Sequence, residues 1–566
     1  MQGKIKYRNI FALVIFGALA IPCFRYCQHV SPWNRIASLL SHLFMIFASI
    51  VLSGLYWNFR TQMKLGRLLR WKGAPYISAI SFFFLVLRLG TYQFGGSDES
   101  VTVHLAAYYA QGFRPMIDFP SSVPPLFMAG VRLALVTLGM KWLSFAMLPA
   151  VCAAASALWI FAILRCAGLS REWAFTLAWM IEAATLVAVP LWWYNNLTSL
   201  AVVLLLISVL AALQSPGRLL PWASLSLSFA MLITAKPNAI LAASMVLLLW
   251  LPSDKTQRMR AALSVGGGVA VAAAICWFAQ APPALLIASY QEVAKLRGNP
   301  LLAYPWIKMD IIERDCEIGF VSFLVCCALY LLAASARKKS CQWIHFLLYS
   351  AAFLSSLALV LTNSEFQITN LIPLITAAII ASLRPSTQAS PSLPVRATAV
   401  NLVVITCVIS GYLGLAHLRI RSIGEGMFYE QLPTQRVGSG FFAGLEAGPR
   451  LQRVLDQTRE ALNRYPSKVV FFGPRMEFEY AVFNRKPMWG MPLFWDSEGM
   501  FSPTRFPQMI RDIRVQDPDL LIFLKDDYTR MGSVAEYVKL SPVYKKVDDF
   551  PDLTIYVRQQ PVQKIL

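Results

Sequence analysis

Residues 95–127, GGSDESVTVHLAAYYAQGFRPMIDFPSSVPPLF, gather polar side chains that the flanking sequence lacks. Asp98 and Glu99 are adjacent carboxylates, Asp118 follows, and His104, Tyr108, Tyr109 and Arg114 stand between them. Carboxylates in this number offer oxygen ligands to a divalent cation. The alternative is an ordinary solvated loop. Polar loops carried between membrane spans are where function concentrates, so this stretch is the first candidate site.

Other groups suit a phosphorylated or sugar-bearing ligand. Lys236 ends an apolar run in TAKPN. There it either snorkels to headgroups or faces a cavity and holds phosphate. Arg297, in SYQEVAKLRGNPLLAYPWIKMD, carries a guanidinium fork that matches phosphate oxygens, against the reading of a surface helix with solvated charges. In PLWWYNNLT, an aromatic belt at a span end explains Trp192, Trp193 and Tyr194, whereas the paired amides Asn195 and Asn196 can hydrogen-bond a sugar. Glu365, between Asn363 and Gln367 in TNSEFQITN, marks another span end. Arg88, Arg132 and Glu182 lie inside apolar segments, where ionisable groups usually face protein or a cavity.

The elements that must position these groups are apolar. The 566 residues are 57% hydrophobic and 14% charged, with a mean hydropathy of +0.53. Soluble domains are less apolar and more charged. Apolar segments fall at 9–24, 36–57, 75–94, 123–140, 143–164, 172–191, 197–213, 219–235, 239–252, 262–281, 318–335, 342–361, 370–383 and 398–418. These read as helices, because a backbone in lipid must satisfy its own hydrogen bonds and no alternating barrel pattern is present. The amino-terminal run reads as a retained span, with no small-residue cleavage site after it.

The net charge of +21 sits in short clusters: Arg60, Lys64, Arg67, Arg70 and Lys72; Lys255, Arg258 and Arg260; Arg337, Lys338 and Lys339. That is the positive-inside pattern, with anionic headgroups rather than nucleic acid as the partner. It places 60–72, 253–260 and 336–340 inside and the stretch around Asp98 outside. The apolar segments between the first two clusters are odd in number, so one of 123–140, 143–164 and 172–191 does not cross. The ten cysteines form no paired metal motif, and none follows Cys407.

The expected architecture is an α-helical polytopic membrane protein of about thirteen crossings with a small carboxy-terminal α/β domain. Its parts are a two-helix addition and basic loop at 1–72, a transmembrane domain at 73–418 with outer loops 95–122 and 282–317, and an extracytoplasmic domain at 419–566. In the last, KVVFFG, DLLIFL and LTIYV read as strands, and GPRLQRVLDQTREALNRY, PTRFPQMIRDIRVQ and MGSVAEYVKL as helices. Phosphate-binding GxxxxGK[ST], HExxH and GxSxG motifs are absent from the sequence.

The order of these marks resembles the GT-C superfamily of membrane glycosyltransferases, which includes protein O-mannosyltransferases and lipid A aminoarabinose transferases. A span ending in GGSDES, the stretch AAYYAQGFRPMIDFPSSVPPLF, the later span end LITAKPN and the α/β tail carry the resemblance, over most of 75–566. It implies a sugar donor linked to polyprenyl phosphate, transfer on the outer face of the inner membrane with inversion, and a glycan, lipid or protein acceptor. By the same resemblance Asp98 matches the first-loop acid, Asp98 or Glu99 is the general base, and Lys236 contacts the donor phosphate. Arg297 is a second phosphate ligand by position. Asp118, His104, Arg114, Tyr109, Asn195, Asn196 and Glu365 complete the expected substrate contacts. No cofactor is expected, since WWYNN offers amides where a carboxylate would be expected in metal-using members; a divalent ion on Asp98, Glu99 and Asp118 is the alternative. A transporter or flippase of lipid-linked glycans is the competing function.

Overall fold

The computed structural model describes residues 72–96, 98–251, 254–296, 325, 327–333, 343–362, 368–383, 399–400, 402–403, 406–407, 410, 428, 434–493, 506–525 and 543–559. The expected two-helix addition, Arg297, Glu365, the MGSVAEYVKL helix and most of 398–418 lie outside the described residues.

The apolar runs fold as helices. α1 spans Ala74–Gly90, opened by Pro75 in its first turn, where the missing N–H costs nothing. α2 is Asp98–Ala110, α3 Pro125–Leu138, α4 Trp142–Cys166 and α5 Arg171–Glu182. α5 runs into a π-helical turn, Ala183–Val187. α6 is Tyr194–Gln214 and α7 Leu219–Ala235. Short 3-10 and α turns fill 237–250, where a single apolar segment is expected from sequence. α8 is Lys255–Phe278, α9 Pro283–Leu296, α10 Trp343–Thr362 and α11 Ile372–Leu383.

Among the described residues α4, α6, α8 and Trp343–Val360 of α10 are long and apolar enough to cross a membrane. α6 is the buried centre of the bundle, with Leu197 to Ala212 enclosed throughout. Small residues let its neighbours approach: Ala150, Ala153 and Ala157 of α4 pack against Phe82, Val86 and Leu89 of α1.

The helix ends sort to two ends of the bundle. At one, the Trp142 indole donates to the Gly90 carbonyl at 3.0 Å, the Trp192 indole to Phe127 at 3.2 Å, and Arg132 to Phe278. At the other, the Ser215 hydroxyl donates to Cys166 at 2.9 Å and Arg260 to Pro216. α1, α4, α5, α6, α7, the 237–250 run and α8 pass between the two. α3 does not. The Phe127 ring near its start meets Trp193 at 5.3 Å, and Leu138 at its end accepts from the Ser144 hydroxyl at 3.1 Å, beside Trp142. The segment 123–140 thus starts and finishes at one end. Of the three segments 123–140, 143–164 and 172–191, it is the first whose two ends meet the same end of the bundle.

The carboxy-terminal residues fold as expected in class. β3 (Val470–Phe472), β4 (Leu520–Leu524), β5 (Tyr544–Asp549) and β6 (Leu553–Arg558) form a sheet in the order β3-β4-β6-β5. β3 and β4 are parallel, and the other pairs antiparallel. α12 (Pro449–Arg464) buries Leu451, Val454, Leu455, Ala461 and Leu462 at helical spacing. A small hairpin of β1 (Gln435–Arg436) and β2 (Glu446–Ala447) anchors the domain to α1: Glu446 pairs with Arg88 at 2.8 Å, and its backbone bonds Thr91 and Gln93. Helix α13 (Glu479–Val482) follows β3, and α14 (Phe506–Gln516) precedes β4.

Candidate functional site

The stretch around Asp98 is a helix, not the loop expected from its polarity. Its start is set by Gly96, at φ +74°, where any Cβ would lie 2.4 Å from the Phe428 ring. Asp98 and Glu99 then occupy the first turn, where carboxylates favour the positive end of the helix dipole. Its end is a left-handed glycine cap. Gly112, at φ +78°, donates to Tyr109 and Phe113 donates to Tyr108, while the Phe113 and Tyr108 rings meet at 5.5 Å.

Between those ends α2 is enclosed on all sides, from Glu99 to Tyr109. Ser100, His104 and Tyr108, four residues apart, share the face turned to the carboxy-terminal domain. The Ser100 hydroxyl donates to Glu477 at 3.3 Å. His104 Nδ1 lies 3.2 Å from the Leu493 carbonyl, and its ring stacks on Tyr480 at 5.6 Å. A carbonyl only accepts, so the imidazole proton sits on Nδ1. Burial pushes the His104 pKa down to about 3, with the Leu493 bond opposing, so the ring is neutral. Tyr108 donates to Met488 at 2.9 Å and stacks on Phe119 at 4.0 Å.

Asp98, Thr102, Leu105 and Tyr109 share a different face, rotated by a quarter turn or more. Tyr109 fixes where that face looks. Its hydroxyl donates to Ala279, just past the end of α8, at 2.6 Å, and the Arg132 guanidinium lies 5.6 Å from its ring. Asp98 lies on that same helical face, displaced along the helix by about 16 Å from Tyr109. The two acids differ in access: Asp98 is half-buried, whereas Glu99 is 3% exposed.

Lys236 stands at the same end of the bundle. Pro237 disfavours helical geometry in the residue before it, and Lys236 is extended, at φ −128° and ψ 132°. Its ammonium donates to Asn195 Oδ1 at 2.9 Å and lies 5.1 Å from the Tyr194 ring. Asn196, although adjacent, points inward and is fully buried. It donates to the Val189 and Leu191 carbonyls and closes the turn before α6.

α9 joins the expected outer loops: its Ser289 hydroxyl donates to the Ser121 carbonyl at 2.8 Å. Asp118 has a local bond set. Its Oδ2 accepts from the Arg114 backbone at 2.7 Å and meets Arg114 Nε at 3.5 Å, bracing the tight turn between Pro115 and Phe119. The Asp118 carbonyl accepts from Gly490 at 2.8 Å, which pins the turn to the carboxy-terminal domain. Asp118 Oδ2 is thus engaged away from the first turn of α2. Among the described residues no three His, Cys, Asp or Glu side chains gather as metal ligands.

Sequence reasoning passes over Glu477, Glu479 and Tyr480. Glu479 is fully buried, accepts from the Thr458 hydroxyl at 3.0 Å, and is held by burial well above the usual carboxylate range. The signal is present as EFEY shortly after a predicted strand, but Ser100 and His104, which meet Glu477 and Tyr480, lie hundreds of residues upstream. Among the other intramembrane candidates, Arg88 and Arg132 have the partners given above. Both oxygens of Glu182 lack a hydrogen-bond partner among the described residues; the neighbouring Ser156 hydroxyl donates to Cys152 instead, at 2.6 Å.

No protein-family model matches this sequence. No curated protein matches it either. Among solved structures it is similar to the crystal structure of the Archaeoglobus fulgidus oligosaccharyltransferase complex with zinc and sulfate. The identity is 11% and the TM-score 0.37, and the match covers 79% of this chain and 67% of that one.

Proposed function

We propose that the chain is a multi-pass membrane glycosyltransferase that moves a sugar from a polyprenyl-phosphate donor to an acceptor at the outer face, with inversion. The observation that carries this reading is the placement of α2. It carries Asp98 in its first turn, on the helical face that Tyr109 shares, and Lys236 is held by Asn195 at the same end of the bundle. A carboxylate and an amide-positioned cation at one end of an apolar bundle suit a hydroxyl acceptor and a lipid phosphate.

In this mechanism the Asp98 carboxylate takes the proton of the acceptor hydroxyl. The oxygen attacks the anomeric carbon from the face opposite the phosphate, and the bond from that carbon to the phosphate oxygen breaks. Lys236 balances the charge left on the polyprenyl phosphate, and Arg297 joins it as a second cation. Asp98 takes the base role over Glu99 because it is the more accessible of the pair. Positioned electrostatics of this kind act most strongly where water is excluded. The step needs proton transfer to Asp98 and cationic groups at the phosphate, and is not routed through a metal ion. The carboxy-terminal domain, extracytoplasmic in this reading, holds α2 through His104, Ser100 and Tyr108.

The test is release of free polyprenyl phosphate from a panel of polyprenyl-phosphate sugars by purified protein, with Asp98→Asn as the control. The competing reading, a transporter or flippase of lipid-linked glycans, draws on the buried carboxyl of Glu182. It predicts movement of the lipid-linked glycan with no glycosidic bond formed.

A further inference from the structure

The end of the bundle opposite Lys236 carries a second feature. α7 and α8 touch closely along part of their length. At Gly268 a Cβ would stand 2.9 Å from the Ser226 carbonyl, and at Gly267 it would stand 3.1 Å from the Ser226 hydroxyl. Beyond Ser226 and Ser264 the close contact ends and a cavity of about 300 Å³ opens between the two helices. Its lining includes Arg218, Leu219, Trp222, Ser226, Arg260 and Leu263.

The walls divide by chemistry. Leu219 is 81% exposed and Leu263 67%, so the mouth is apolar and faces outward from the bundle. α8 continues that surface with exposed Met259, Val269, Val271 and Trp277. A helix with so much apolar exposure fits acyl chains as its surroundings. Two guanidinium groups stand in this apolar mouth. Arg260 donates one N–H to the Pro216 carbonyl, which also accepts from the Trp222 indole at 3.0 Å. Arg218 directs one N–H to the Cys166 sulfur at 3.6 Å. Each guanidinium has five N–H donors, so these contacts orient the forks without using them up.

The charges around the cavity are mostly basic. Arg165, Arg171, Lys255 and Arg258 stand at the same end of the bundle, with Glu172 and Asp254 as the acids. Asp254 is occupied as the cap of α8, accepting from the Gln257 backbone at 2.7 Å. Among the described residues no carboxylate lines the cavity. The length of α7, about 25 Å, separates the Arg218 end of the cavity from Lys236.

We propose that this cleft binds an anionic phospholipid: the headgroup phosphate between Arg218 and Arg260, and the upper part of an acyl chain along Leu219 and Leu263. Guanidinium pairs match phosphate oxygens in geometry as well as charge. Basic pockets between spans on the positively charged side of a membrane protein suit anionic headgroups. A soluble anion would use the arginines but leave the apolar walls uncovered. A zwitterionic lipid would cover the walls but bring its own cation to two arginines. The inference rests on the membrane-spanning reading of the bundle, not on the transferase reading, and its test measures lipid retention rather than transfer.

The experiment is native mass spectrometry of the full chain, delipidated in detergent and titrated with phosphatidylglycerol, phosphatidylcholine or inorganic phosphate. Phosphatidylglycerol should bind, with phosphatidylcholine weaker by roughly tenfold or more. Arg218→Gln with Arg260→Gln should lower phosphatidylglycerol retention by a similar factor, whereas Lys255→Gln, outside the lining, should leave it unchanged. If the double variant does not fold, Leu263→Glu serves instead, placing an acid in an exposed wall, and should expel the lipid with both arginines intact. Equal binding of the two lipids, unchanged retention in the variants, or displacement by inorganic phosphate at matched concentration would each overturn the proposal.

Discussion

The Lys236 ammonium donates to Asn195 Oδ1 at 2.9 Å, tying the end of α7 to the first turn of α6. An amide oxygen positions a cation without neutralising it. Replacing Lys236 with Ala removes that charge, and kcat/KM for the lipid-linked donor should fall by about a hundredfold or more. Asn195→Ala leaves the charge but removes one of the contacts that place it. It should lower kcat/KM by about tenfold, mostly through KM. Steady-state transfer at varied donor concentration separates the two outcomes.

Gly96 and Phe428 supply a stability prediction. A Cβ at Gly96 meets the Phe428 ring at 2.4 Å, and the backbone is left-handed there. Gly96→Ala should destabilise the protein by about 1–3 kcal/mol. The thermal unfolding midpoint of the purified chain in detergent measures it, with Gly217→Ala, where a Cβ meets nothing within 4 Å, as the silent control.

His104 gives a pH dependence with a definite sign. The folded ring refuses a proton down to about pH 3, whereas the unfolded chain takes it up near 6.5. Between those values the unfolded state binds more protons, so this contribution to stability is lost as pH falls through 6.5 towards 3. Glu479 acts in the opposite sense. Burial keeps its carboxyl protonated, so its contribution is full below the ordinary value of 4.5 and declines as pH rises above it. Between pH 7.5 and 5.5 the two contributions oppose each other, so the test is a difference: on acidification the unfolding midpoint should shift more favourably in His104→Gln, which keeps a donor for Leu493 and lacks the titrating ring, than in the wild type.

The position of α3 predicts an accessibility pattern. Gln111, before it, and Lys141, after it, lie at one end of the bundle and are exposed, whereas Lys255 lies at the other. Single cysteines at these sites, in a cysteine-free background, should react with a membrane-impermeant maleimide from the same side at 111 and 141 and from the opposite side at 255. Opposite labelling of 111 and 141 would show that α3 crosses.

Much of the bundle is legible in the sequence, because a buried or lipid-facing helix needs a long apolar run. The expected segment 197–213 is α6, and 219–235 is α7. Hydropathy alone does not tell α3 from a crossing: Pro125–Leu138 is apolar because it packs beneath Trp192 and Trp193, with Gly130 giving the Trp192 indole its space. α2 escapes notice for a different reason. Enclosed on every side, DESVTVHLAAYYA shows no apolar stripe at helical spacing. β5 is an edge strand of mostly polar residues, YKKVDD, which hides it from an apolar-run reading. At the site, the AKPN end of α7 displays Lys236 directly. The separation of Asn195 from Asn196 depends on which amide turns inward to Val189, and adjacent letters do not encode that.

The most direct test of the central claim is release of polyprenyl phosphate by purified wild-type protein and by Asp98→Asn at equal folded concentration. The account predicts release by the wild type with a polyprenyl-phosphate sugar and an acceptor, and a fall of about 10²–10⁴ in rate for the variant. Wild-type rates in Asp98→Asn would contradict the role of Asp98. No release from any donor, with lipid-linked glycan moved across the bilayer intact, would contradict the transferase itself.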